Sequence, residues 1–154
     1  MSQDKEILKK LLEESIGKFY KKDSLLSERK GLEQACVFRI GLYLQERLKK
    51  AKISDVVVDC EYNKNGDHPK KTLMFLEGVR PDLLIHKRGD NTKNLLVAEF
   101  KGWWNKSKNR DEDKLKSLTS PYDEYHYLLG AYVRLGKKNI QELEYYADGK
   151  KLNN

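Results

Sequence analysis

An aspartate, a glutamate and a lysine within one short stretch of the chain are the residue types that metal-assisted hydrolysis uses. Asp82 stands at the head of the apolar run Leu83-Leu84-Ile85, and Glu99 and Lys101 follow the run Leu95-Leu96-Val97-Ala98. Both runs read as β-strands, and the Gly89-Asp90-Asn91 cluster between them has turn composition. Side chains two apart in a strand share a face, so Glu99 and Lys101 point one way and Phe100 the other. If the strands pair as a hairpin or as close neighbours, Asp82 comes beside Glu99. Two carboxylates and an ammonium would then meet at the margin of an apolar sheet. Charges so close to a buried run pair with one another or hold a cation.

Helices precede these strands. Ile7, Leu8, Leu11, Leu12, Ile16 and Phe19 recur at helical spacing and predict a first helix over 3–22, packed by one face and solvated on the other. A second helix is expected over about 27–51, with Ser27 as N-cap. At 100° per residue, Val37, Ile40, Leu44 and Leu48 fall within about 60° of Glu33. Glu33 therefore lies on the core-facing stripe, while Glu28 and Glu46 lie well round the helix. A carboxylate there either joins Asp82, Glu99 and Lys101, or sits half-exposed at the helix start, paired with a cation.

Residues 55–63 alternate into a strand in which Asp59, Glu61 and Asn63 share a face, either solvated or adding a carboxylate to the site. The Asn65-Gly66-Asp67 turn and a loop follow, and Thr72–Leu76 is apolar enough to touch the core. Beyond Lys101, the segment Gly102-Trp103-Trp104-Asn105-Lys106-Ser107-Lys108-Asn109-Arg110 interleaves aromatic rings and cations. That composition suits phosphate contact and base stacking, and equally a capped sheet edge or a dimer interface. A short helix over 111–119 turns Leu115 and Leu118 inward and carries Lys114, which is either a surface residue or close to the site. Residues 125–135 read as a central strand reached by a crossover, 140–147 as an edge strand, and the tail from Asp148 as frayed. His86 and His126 read as packing or hydrogen-bonded histidines.

The 154 residues fit one domain, 38% hydrophobic and 36% charged, which calls for a compact core under a very polar surface. No apolar run approaches the ~20 residues of a membrane span and no secretory signal opens the chain, so a cytoplasmic protein without a membrane partner is expected. Cys36 and Cys60 read as free, buried thiols in a reducing compartment. The net charge of +7 permits a polyanionic partner without requiring one. P-loop, GxGxxG and GxSxG signatures are absent.

Pro81-Asp82, sixteen intervening residues and Glu99-x-Lys101 resemble the signature of the PD-(D/E)xK nuclease superfamily. The resemblance covers about residues 27–135 and implies a restriction-endonuclease-like α/β fold: an α-β-β-β-α-β core whose mixed central sheet is flanked by helices. Residues 1–26 would add an N-terminal helix and 136–154 a C-terminal edge strand and tail, within a single domain. The implied activity is Mg²⁺-dependent phosphodiester hydrolysis, DNA foremost, with Mn²⁺ as a substitute. Asp82, Glu99 and the carbonyl of Phe100 would hold the metal, with Glu33 completing the acidic set and Lys101 positioning the attacking water. The crossover helix of the superfamily often supplies a Lys or Gln near the phosphate, which implies Lys114 here. Trp103, Trp104 and Lys106 are the further candidates for contacting nucleic acid, and a homodimer is left open. The alternative is a nucleic-acid-binding or protein-interaction module that keeps the fold without the chemistry.

Overall fold

A computed structural model of the chain describes residues 2–153. Helix α1 (Gln3–Glu28) and helix α2 (Glu33–Lys50) precede strand β1 (Val57–Cys60) and a small hairpin, β2 (Lys64–Asn65) and β3 (His68–Pro69). Strands β4 (Leu83–His86) and β5 (Asn94–Gly102) follow. Helix α3 (Asn109–Thr119), β6 (Leu129–Leu135), β7 (Ile140–Ala147) and β8 (Lys150–Lys151) complete the chain. Six strands form one mixed sheet in the order β1-β4-β5-β6-β7-β8, and β2 and β3 pair separately. All pairs in the large sheet are antiparallel except β5–β6, which α3 joins as a crossover.

Period-two alternation sorts the sheet residues between two cores. Leu83, Ile85, Leu96, Ala98, Phe100, Ala131 and Val133 face α1 and α2, where they meet Leu12, Ile16, Phe19, Ile40, Leu44 and Leu48. Leu84, Val97, Tyr132 and Tyr146 face the other way, against Leu115 and Leu118 of α3 and the tyrosines Tyr125 and Tyr127. The result is a mixed α/β protein with one sheet between two helical layers. Among the described residues no helix is long and apolar enough to cross a membrane.

Four expectations are corrected. The second helix does not begin at Ser27: α1 continues to Glu28, and α2 starts at Glu33 with Leu32 at a cap position that makes no side-chain bond. Arg29, extended at φ −100° and ψ 137°, ends the first helix, and Gly31, at φ +85°, lies in the turn that leads to α2. Ser27 lies in the last turn of α1, its hydroxyl 2.8 Å from the carbonyl oxygens of Ser24 and Lys137. Of the 72–76 run, Phe75 packs inward, but Leu73, Met74 and Leu76 are 74, 58 and 70% exposed. Cys36 is buried and Cys60 is exposed, both as free thiols. The tail is ordered as β8, with the Leu152 amide donating to Tyr145 O at 2.8 Å, so β7 is not the sheet edge.

Nothing lies within 4 Å of a Cβ placed on Gly31, so Gly31→Ala tests the backbone alone. We expect it to cost about 1 kcal/mol in urea unfolding, with Gly31→Asn costing less because asparagine tolerates the left-handed region. Equal stability of all three proteins would show that the turn does not hold the two helices apart.

Candidate active site

Strands β4 and β5 pair with Leu83 opposite Ala98 and Leu84 opposite Val97. One step further the same register sets Asp82 opposite Glu99, with both side chains on the α3 face. Asp82 Oδ2 accepts the Phe100 amide at 2.7 Å, beyond the end of the ladder. The Phe100 carbonyl lies on the same strand edge as its amide, and its ring is fully buried on the opposite face. Glu99 is 1% exposed. Its Oε2 lies 3.0 Å from Lys114 Nζ, and its Oε1 is buried without a hydrogen-bond partner.

Lys101 shares the face of Glu99, as the alternation requires, and its Nζ lies 3.2 Å from Asp111 Oδ2. Asp111, buried in the first turn of α3, also lies 3.7 Å from Lys114. It is the site residue that the sequence reading missed, although the signal was present. Asp111 precedes Leu115 by four residues and Leu118 by seven, which puts it on the buried stripe of the helix. Glu33, the first residue of α2, accepts the Gly102 amide at 2.9 Å and shares a cavity of about 200 Å³ with Asp82 and Glu61. Glu61 does not share a face with Asp59: β1 ends at Cys60, and Glu61 at φ +52° swings round to accept from Gln34 at 2.5 Å. Asp59 is engaged elsewhere, by His86 and Arg88.

Glu33, Asp82, Glu99 and Asp111 thus surround only two ammonium groups, those of Lys101 and Lys114. The formal balance is an excess of two negative charges in a poorly hydrated place. Burial pushes the Asp82 carboxyl up to about 6, against the pull of the Phe100 amide and Lys114, with Glu33 and Asp111 adding to the rise. Burial also drives Glu99 well above the usual range; Asp82 adds to this and Lys114 opposes it. Burial alone would lower the Lys101 ammonium, but the charge and hydrogen bond of Asp111 outweigh it and hold the group above its ordinary value.

Among the described residues no group of three His, Cys, Asp or Glu is arranged to hold one ion. A hard divalent ion such as Mg²⁺ is commonly held by one or two carboxylates with water and substrate oxygens, which the facing pair Asp82 and Glu99 can supply. The all-oxygen donors, the unpartnered Glu99 Oε1 and the excess of negative charge all fit such an ion.

The residues after Lys101 divide differently from the expectation. Trp103 donates through Nε1 to Ser27 O at 2.9 Å, with Lys137 and Lys30 over its ring, and meets Trp104 edge-on. A Cβ on Gly102 would run into the Trp104 ring, so both half-buried tryptophans fasten the end of β5. Lys108 is held by Glu112, Glu142 and Glu144. Lys106 is exposed, and Arg110 lies 5.4 Å from the Phe75 ring. His86 and His126 are hydrogen-bonded, to Asp59 and Asp148. The chain matches no family model and no curated protein.

Asp82 would titrate near 3.8 in the unfolded chain and titrates at about 6 in the folded one. Between those values the native state keeps a proton that the unfolded state has lost. Its contribution to stability is therefore full below about pH 4 and is lost as pH rises through 6. Asn at this position still accepts from Phe100 and carries no charge. In EDTA, Asp82→Asn should exceed the parent by about 1–3 kcal/mol at pH 7.5 and match it near pH 4 in urea unfolding. A gain of the same size at both pH values would disprove the linkage.

Proposed function

We propose that the chain is a divalent-metal-dependent phosphodiesterase acting on nucleic acid, DNA foremost, with the restriction-endonuclease-like fold of the PD-(D/E)xK nucleases. The observation that carries this reading is the register that sets Asp82 against Glu99 while Lys101 shares their face. Asp82 and Glu99 would hold Mg²⁺ or Mn²⁺, with the Phe100 carbonyl on the same edge and Glu33 behind Asp82. Such an ion, when bound, lowers the pKa of a coordinated water and neutralises charge on phosphoryl oxygens. Lys101 remains an ammonium against Asp111 and donates to a phosphoryl oxygen or to the attacking water. Lys114 moves its charge from Glu99 towards the substrate once Glu99 is otherwise engaged. The net charge of +7 supports the polyanionic substrate.

A second reading, a binding module without chemistry, is favoured by the fact that Lys101 and Lys114 already occupy Asp111 and Glu99. Such a module binds DNA in a salt-dependent manner and is indifferent to chelator.

Supercoiled and linear DNA incubated with the purified protein should be nicked or cut in Mg²⁺ or Mn²⁺ and left intact in EDTA. Lys101→Ala should slow cleavage about 100-fold or more. The absence of cleavage in both metals, with Lys101→Ala indistinguishable from the parent, would sink the enzyme reading. Metal binding should also release protons, because it displaces them from two carboxyls whose pKa values are raised. Calorimetry near pH 6 in buffers of differing ionisation enthalpy reads that release, and affinity should weaken below pH 6. Asp82→Ala and Glu99→Ala should remove the binding, and a pH-independent affinity would contradict the charge assignment.

A further inference from the structure

Beside the carboxylates lies a second built feature. A cavity of about 350 Å³ opens between the 63–80 excursion and α3, and Lys70, Arg80, Arg110 and Lys114 line it against the single carboxylate Glu77. Lys70 is the unusual member. It is 2% exposed, and its Nζ sits 4.3 Å from the Tyr125 ring centre and 5.7 Å from those of Tyr62 and Tyr127. Among the described residues no carboxylate forms a salt bridge with it, and the acid that acts on it electrostatically is the exposed Glu124. Its backbone is pinned from both sides: the Lys70 amide donates to Asn63 O at 2.6 Å, and Val79 N donates to Lys70 O at 2.8 Å.

An ammonium sealed among tyrosines without a counter-ion is costly, and a methionine would fill the same space at less cost. Burial lowers this group to about 8, so it still carries a proton at neutral pH. A poorly hydrated cation on a residue that lines a cavity together with two arginines is the arrangement that anions of high charge density select. Guanidinium forks match phosphate oxygens in pairs, and the buried ammonium adds a point charge beside them.

We propose that this cavity binds a phosphomonoester group, and that the phosphorylated end of a nucleic-acid strand is its ligand. A phosphodiester in mid-strand carries one charge and is flanked by chain on both sides, whereas a terminal phosphate approaches two charges and can enter a pocket end-on. Lys114 joins the cavity to Glu99, so a strand anchored here by its end would present a nearby linkage to Asp82 and Glu99. The preference for a strand end rests on the nucleic-acid reading above; the phosphate site itself does not.

The test is fluorescence anisotropy in EDTA at constant ionic strength. One oligonucleotide sequence is compared with a 5′-phosphate, a 3′-phosphate or two hydroxyl ends. One phosphorylated form should bind about tenfold more tightly than the hydroxyl form. Lys70→Met should abolish that difference, leave the hydroxyl strand bound within about twofold, and keep or raise the melting temperature. Arg110→Ala, an exposed position, should reduce the preference in a protein whose core is untouched. Inorganic phosphate and a nucleoside monophosphate serve as competitors; displacement by the mononucleotide as effective as by the strand end assigns a free nucleotide as the source and keeps the phosphate site. Equal binding of all three strands, or a preference unchanged in both variants, overturns the proposal. Asp82→Ala should retain the end preference while losing cleavage. Cleavage without end preference would defeat this proposal alone, and end preference without cleavage would defeat only the hydrolase reading.

Discussion

The pairing of β4 with β5 determines where every charge of the site falls. Leu83 opposite Ala98 commits both to the α1–α2 core, so the next pair, Asp82 and Glu99, must face α3. A slip of one residue would exchange the faces, sending a carboxylate among Ile40 and Leu44 and turning Leu83 outward. The hydrophobic pattern on either side of the sheet therefore fixes the geometry of the acids. The nine residues of β5 are mostly buried, so Glu99 cannot escape to solvent by local fraying.

That constraint creates an electrostatic problem which the rest of the site answers only in part. Lys114 from α3 reaches Glu99, Asp111 reaches back to Lys101, and backbone amides of Phe100 and Gly102 serve Asp82 and Glu33. Each is a favourable local contact, but together they leave the cluster short of positive charge. Burial first, and the neighbouring carboxylates after it, push the Asp82 and Glu99 carboxyls up, so that protons bind there more readily than to a free carboxylate. Under the proposed reading, protons and a divalent ion would be alternative occupants of one site, and metal affinity would be coupled to pH through the same two residues.

Much of this was legible in the residues. The helical stripe around Glu33, the two strands of the motif, the crossover helix and the parallel strand after it follow from apolar period alone. The parts that were hidden share a cause: they depend on backbone geometry or on long-range packing, not on local period. The chain leaves the helix at Arg29 and turns through Gly31 where the residues read as one continuous helix from Ser27, because backbone angles carry no hydrophobic signature. Leu73, Met74 and Leu76 look like core and stand exposed, in a loop that closes on itself as Thr72 N and Gly78 N both donate to Phe75 O. The tryptophans, whose composition suits a stacking platform, a capped sheet edge or a dimer interface alike, fasten the end of β5, with Trp103 reaching Ser27 of α1. Asp111 is readable from its spacing to Leu115, against the usual service of acids in a first helical turn to the helix dipole. Lys70 lies in irregular chain, where no pattern marks a buried position.

The cost of these groups separates what the fold needs from what it tolerates. Two apolar clusters on opposite faces of the sheet account for the burial that holds the chain together, and neither includes an ionisable member of the site. Replacing a buried ion cluster with apolar residues of similar volume is commonly neutral or stabilising. Leucine or methionine at Glu99, Asp111 and Lys114 would satisfy packing with no proton to take up and no oxygen left unpartnered. Lys70, sealed among tyrosines, poses the same question at the other end of the adjoining cavity. Buried acids on one side and an unpaired buried base on the other are therefore stability spent in two adjacent places with opposite signs. Under the two proposals a cation would answer the first and a phosphate the second, and a phosphorylated polyanion bound with its metal would answer both at once.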